Sequence, residues 1–247
     1  MTAIIEVRDL AKRFGQVPAV RGLSFEVERG TVTGFLGPNG AGKTTTLRIL
    51  LGLVGADAGT AHISGRSYRD LPEPLHQVGA VLEASSFHPG RTARSHLRIQ
   101  ALAAQVDQGR VDEVLELVQL SGAARRRIGG FSLGMRQRLG LATALLAEPE
   151  MLILDEPTNG LDPEGVRWLR DLLRGFAAGG GTVLISSHLL AEVAQTVDSV
   201  VIVDRGRLIT HAPLAELTAH GSALEDVFLR LTDTFTQNQS ETQEVSR

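Results

Sequence analysis

Thr31-Val32-Thr33-Gly34-Phe35-Leu36, followed without a break by Gly37-Pro38-Asn39-Gly40-Ala41-Gly42-Lys43-Thr44, is the stretch on which the rest of the chain turns. An apolar run of strand length leads into the pattern G-x-x-x-x-G-K-[ST], and residues 45–51 after it favour helix. In that order the glycines let backbone N–H groups curl around phosphate oxygens, and the helix turns its positive end toward them. Lys43 reaches for the β- and γ-phosphates, Thr44 for Mg²⁺, and Thr45 opens the helix beside them. An ordinary glycine-rich turn would use many of the same residues. Of 25 basic residues, however, only Lys12 and Lys43 are lysines. A compact charge on a flexible stem suits phosphate, and it stands where the pattern requires it.

Short strands are expected around this stretch, at residues 4–8, 23–28 and 58–64, with glycines at the turns. Helical spacing then takes over between residues 92 and 148, as in Val111-Val114-Leu115-Val118 and Leu139-Ala142-Leu145-Leu146. After Pro149 come strand-like runs at 151–154, 182–186 and 199–203. The first two are separated by a helix over 163–178, with Asp162 as its N-cap and Gly179-Gly180-Gly181 beyond its end. Strands alternating with helices give an α/β fold with a mostly parallel sheet, an antiparallel β part and an inserted helical subdomain at about 85–148. The fold is expected over residues 1–230. Residues 231–247 are mostly Thr, Gln, Ser, Glu and Asn, and are expected to fray.

With 247 residues, 43% of them hydrophobic and 21% charged, the chain suits one globular unit able to bury a core. A net charge of -3 offers no overall attraction for nucleic acid or an anionic membrane. The span 85–148 is locally basic, with nine arginines against five acids, and reads equally as a solvated helical face or as a surface for an anion or a partner. Cysteine is absent, which removes disulfides and thiolate metal sites. Glu6 and Arg8 interrupt the apolar stretch that a signal peptide needs, and the strongest apolar run, residues 49–56, is far short of the roughly 20 residues that cross a bilayer.

Two further places carry chemistry. Met151-Leu152-Ile153-Leu154-Asp155-Glu156 is a buried strand that ends in two carboxylates: Asp155 suits Mg²⁺, directly or through water, and Glu156 suits polarising a water for attack on a γ-phosphate. Alone, the pattern is also that of a strand leaving the core on acidic turn residues; beside a phosphate loop the chemical reading gains weight. His188 follows the run 182–186 and so lies at a carboxyl end of the sheet, where ligands bind in such folds, although a lone histidine there is often structural.

The phosphate loop, Phe131-Ser132-Leu133-Gly134-Met135-Arg136-Gln137-Arg138, the Asp155-Glu156 strand, Asn159-Gly160-Leu161-Asp162 and His188, in this order and spacing, resemble the nucleotide-binding subunit of ATP-binding cassette (ABC) transporters. The resemblance spans about residues 4–209. It implies an ATPase that binds ATP and Mg²⁺, pairs as a head-to-tail homodimer through shared ATP sites, and drives separate integral membrane permease subunits from the cytoplasmic face of the cell membrane. No nucleic acid is expected. By the same resemblance Phe14 stacks on adenine, though a core phenylalanine would also fit there. Ser132 and Gly134 bind the γ-phosphate held by the opposite subunit, Asp162 belongs to a loop crossing the dimer interface, and His188 contacts γ-phosphate. Sequence chemistry agrees for Ser132, which can cap a helix running to about residue 147 and so aim its positive end at an anion.

Two departures stand out. Where the family has a glutamine that senses Mg²⁺ and links the site to the membrane subunit, after the strand 78–82, this chain has Glu83, as in a subset resembling lantibiotic and other antimicrobial-peptide exporters. Leu133 stands at a signature position that is usually glycine, and Met135 where glutamine is common. The segment Leu224-Glu225-Asp226-Val227-Phe228 resembles an ending seen in multidrug and antibiotic export ATPases, and fits an amphipathic helix equally well. Export is therefore the expected direction. The alternative is an ATPase of the same type with a regulatory or nucleic-acid role, which typically joins two cassettes or carries a long coiled-coil insert. A GTPase would need Asn-Lys-x-Asp, which neither lysine provides.

Overall fold

The computed structural model describes residues 3–82, 87–219 and 223–232. Strands β1 (Ala3–Phe14) and β2 (Val17–Glu28) form an antiparallel hairpin, and β4 (Ala58–Ile63) pairs with the other edge of β1. The second sheet has six strands: β5 (Val78–Val81), β6 (Met151–Asp155), β7 (Thr182–Ser187), β3 (Val32–Leu36), β8 (Ser199–Asp204) and β9 (Arg207–Pro213), in that spatial order. The first five run parallel and β9 pairs antiparallel to β8.

The central strands read as unbroken apolar runs because both faces of their sheet are covered. Leu152 and Leu154 of β6 point into a core shared with the helical layer, while Met151 and Ile153 point into a second core shared with the antiparallel sheet. Strand β8 divides the same way, with Val200 and Ile202 on one side and Val201 and Val203 on the other. Helix α1 (Lys43–Leu50) follows β3, and α2 (Pro74–Gln77) leads into β5. The expected helical insertion consists of α3 (Ala93–Ala103), α4 (Arg110–Leu117) and α5 (Leu133–Leu145). Helices α6 (Pro163–Ala178) and α7 (Leu190–Ala194) connect the parallel strands, and α8 (Leu214–Leu217) and α9 (224–232) follow β9.

The insertion is tied to the sheet by α6. The indole Nε1 of Trp168 donates to the Leu117 carbonyl at 3.3 Å. The guanidinium of Arg138 on α5 lies 4.2 Å from the indole ring centroid and donates to the Val118 carbonyl and to Gln119. Several arginines of this basic span are thus used inside the chain: Arg94 pairs with Asp112, Arg110 with Glu113, and Arg136 donates to the Phe131 carbonyl.

Three expectations change in detail: β2 begins at Val17 instead of residue 23, because it pairs along the whole of the lengthened β1. Strand β1 continues from residue 8 to Phe14, because Asp9 adopts a left-handed backbone (φ 47°) and the register shifts there, which breaks the alternation that marks a strand. Strand β9 is an addition: its residues are half-buried or exposed along their length, so neither an apolar run nor a clean alternation announces them. Among the described residues no helix is long and apolar enough to cross a membrane.

Candidate functional site

The loop between β3 and α1 curls because of its backbone. Gly42 adopts φ 100°, and a Cβ there would stand 2.4 Å from the Ala19 carbonyl oxygen, so only glycine fits. The side chain of Lys43 is buried, its Nζ donating to the carbonyls of Gly37 (2.6 Å) and Pro38 (3.2 Å) and lying 3.6 Å from Glu156 Oε1. The first turn of α1 has no acidic residue and no side-chain cap, so its N–H groups and positive end face a cleft of about 350 Å³. Asn39, Gly40, Ala41, Gly42, Lys43, Thr44 and Thr45 line that cleft, with Val17, Pro18, Ala19 and Glu156 opposite.

The strand pairing brings the acidic groups to the same end. Thr44 Oγ1 donates to Asp155 Oδ2 at 2.7 Å. Parallel pairing sets Asp155 beside Ser186, whose hydroxyl donates to Asp155 Oδ1 and accepts from the Glu156 backbone N–H at 3.0 Å. Glu156 adopts a left-handed backbone (φ 50°), a conformation unusual for glutamate that needs its surroundings to hold it. His188 Nδ1 lies 2.8 Å from Glu156 Oε2; since the carboxylate accepts, the proton is assigned to Nδ1. The Glu156 carboxylate therefore spans Lys43 on one oxygen and His188 on the other. Ser186 is a site residue that the sequence reading did not single out. The only signal for it is the pairing register, which a single strand does not carry.

A second group lies apart from the cleft. Ser132 caps α5, its hydroxyl accepting from the Met135 N–H at 3.2 Å, and the helix runs to Leu145. Asp162 caps α6 in the expected way, accepting from the Gly165 N–H at 2.8 Å. The two caps adjoin: a Cβ on Gly134 would stand 2.8 Å from the Gly160 carbonyl oxygen, so the chain packs backbone to backbone there. Ser132 and Asp162 are both exposed, and none of residues 131–138 lines the cleft of the phosphate loop. Phe14 is 53% exposed, which removes the core reading; it pairs across the hairpin with Val17 of the cleft wall. Glu83 lies outside the described residues.

A phosphate loop with an acidic strand end, carried on a parallel sheet with a helical insertion, defines a nucleotide-hydrolysing domain. The family profile described as "ABC transporter" matches residues 20–159, and the chain belongs to that family as an ATP-binding domain with ATPase character. It is 44% identical to the "Bacitracin transport ATP-binding protein BcrA" of Bacillus licheniformis, over 88% of this chain and 72% of that protein. It is 40% identical to the "Daunorubicin resistance ATP-binding protein DrrA3" of Streptomyces coeruleorubidus, over 92% of this chain and 73% of that one. A solved structure titled "Structure of ATP binding subunit of ABC transporter" superimposes with a TM-score of 0.84 at 29% identity, covering 93% of this chain and 99% of the other.

Proposed function

We propose that this chain is the ATP-hydrolysing motor of a membrane exporter: two copies close head to tail over two ATP molecules, and separate membrane-spanning subunits receive the movement at the cytoplasmic face. The observation that carries the catalytic part is the Glu156 carboxylate, held between Lys43 Nζ and His188 Nδ1 at the wall of the phosphate-loop cleft. Glu156 takes a proton from the attacking water while the water oxygen bonds to the γ-phosphorus and the bond to ADP breaks. Lys43 exchanges its carbonyl partners for phosphate oxygens, and His188 steadies both the carboxylate and the departing phosphoryl group. Most of the acceleration in such a site comes from positioning and charge neutralisation.

The Thr44 hydroxyl and the Asp155 carboxylate are the oxygen donors that a hard cation such as Mg²⁺ takes with phosphate, and they already adjoin. Bound there, Mg²⁺ would neutralise charge on the β- and γ-oxygens. The exposed Ser132 helix start, remote from the cleft in its own chain, is the surface a second copy would bring to the γ-phosphate. Phe14 would meet the adenine, Gly134 the phosphate beside Ser132, and Asp162 the interface. The relatives named for bacitracin transport, daunorubicin resistance and, in Burkholderia lata, "Nod factor export" support the outward direction.

Glu156→Gln tests the reading. Turnover should drop by about 10²–10⁴-fold, the range for losing a general base, while ATP binding persists. Unchanged turnover would contradict it. Co-purification of the wild-type chain from membranes should bring hydrophobic subunits with it; recovery alone or with nucleic acid would contradict the transport part.

A further inference from the structure

Two residues beyond Glu156 in the chain, Thr158 borders a small, partly open cavity of about 10 Å³ between α6, β7 and α7. Its walls are partly apolar, formed by Leu169, Leu173, Ile185 and Val193 among others, and four polar residues also line it: Thr158, Arg170, Glu192 and Thr196, whose hydroxyl donates to the Glu192 carbonyl. Thr158 Oγ1 and Glu192 Oε2 are both buried, and neither finds a hydrogen-bond partner among the described residues. Arg170, at the same cavity, is engaged elsewhere, its guanidinium bonded to Gln195 and paired with Asp171. Leaving a hydroxyl and a carboxylate oxygen buried without partners is costly, and the cavity has the size of one water molecule.

We infer that a single water molecule occupies this cavity, accepting from the Thr158 hydroxyl and donating to Glu192 Oε2, and that the bridge positions His188 against Glu156. The inference rests on the catalytic reading above and names two positioning residues that it does not use. Thr158 stands two residues after Glu156, in a turn fixed by the Asn159 N–H to the Glu156 carbonyl and the Leu161 N–H to the Thr158 carbonyl. Glu192 stands four residues after His188, on α7, a five-residue helix without a side-chain cap. The turn bearing His188 is otherwise held by the Ser187 hydroxyl, which accepts from the Leu189 N–H. A bridge from Thr158 to Glu192 therefore joins the two segments whose tips meet as the Glu156–His188 hydrogen bond, and neither residue lines the phosphate-loop cleft. A shift of α7 would lengthen that bond, and the water resists it without touching the nucleotide.

Two substitutions remove the bridge with little change of volume: Thr158→Val deletes the hydroxyl, and Glu192→Met deletes the carboxylate oxygens that hold the water. Each should lower kcat for ATP by roughly three- to tenfold, the worth of one hydrogen bond, with KM for ATP unchanged. The double variant should fall no further than the more impaired single one, and both substitutions should be silent in a His188→Ala background. A purely structural role would give additive losses that persist without His188, and that result, or silence of both substitutions in the wild-type chain, overturns the inference. If Glu156→Gln also retained full turnover, the catalytic reading itself would be what failed. A high-resolution crystal structure of the wild-type chain gives the check that needs no variant: an ordered water within hydrogen-bond distance of both oxygens supports the bridge, and a dry cavity or a direct Thr158–Glu192 bond refutes it.

Discussion

The phosphate loop and the start of α5 each present the N-terminal end of a helix, yet they are finished to different degrees. The loop is anchored by its own chain: Lys43 and Asp155 are buried, Thr44 is bonded to Asp155, and Ser186 joins Asp155 to the Glu156 backbone. The helix start at Ser132 is held by its cap, by Arg136 on the Phe131 carbonyl and by close packing of Leu133 and Gly134 on Gly160, but Ser132 and Leu133 themselves are exposed. One is preorganised in a single chain, the other waits for something to be brought to it. Under the proposed closure of two copies on ATP, that asymmetry would separate binding, done by one copy, from hydrolysis, done by two.

The largest expected effect breaks the finished half. Lys43→Ala removes the cation that neutralises phosphate charge and leaves Glu156 without its buried counter-charge. ATP binding by one copy should be lost and turnover reduced about a thousandfold, measured by equilibrium nucleotide binding and phosphate release. The open half should respond differently. In Ser132→Asp the new carboxylate still caps α5, since aspartate is as good an N-cap as serine, but it repels a γ-phosphate. Thermal stability and ATP affinity of the isolated chain should hold within about twofold while turnover falls about a hundredfold. Loss of ATP affinity in this variant would erase the distinction between the halves.

A smaller effect is expected at the strap that joins them. Trp168→Ala removes the hydrogen bond to Leu117 and the ring beneath Arg138, and should lower stability by about 2–3 kcal/mol in denaturant titration. Smallest is the response to acid. His96 on α3 is buried against Phe87, its Nε2 3.3 Å from the Thr143 hydroxyl, and burial, with Arg91 nearby, holds its pKa below the ordinary value of 6.5. The fold therefore favours neutral imidazole: its contribution is complete above pH 6.5 and is lost as the pH falls through the lowered pKa of the folded chain. The melting temperature should decline between pH 7 and pH 5, and the decline should shrink in His96→Gln, as read by calorimetry.

What could be read from the sequence follows the same division. The loop, β6 and α6 announce themselves because their causes are local: glycines at fixed spacing, an apolar run, an aspartate cap and glycines past the end. Helix α6 falls on the expected residues 163–178 for that reason. Ser186 was hidden because its role comes from register against Asp155, and β9 because an edge strand can be half polar throughout. The separation of Ser132 from the cleft is likewise a tertiary fact. The pattern names both helix starts and says nothing of their distance within one chain.

Because the chain has no cysteine, a pair of introduced cysteines tests the central claim directly. Asn39→Cys on the loop and Leu133→Cys beside Ser132 are both at exposed positions. In a Glu156→Gln background they should form a disulfide between two chains when ATP and Mg²⁺ are added, and none with ADP. A covalent dimer that forms equally well without ATP, or no dimer with it, would contradict an ATP site closed by a second copy.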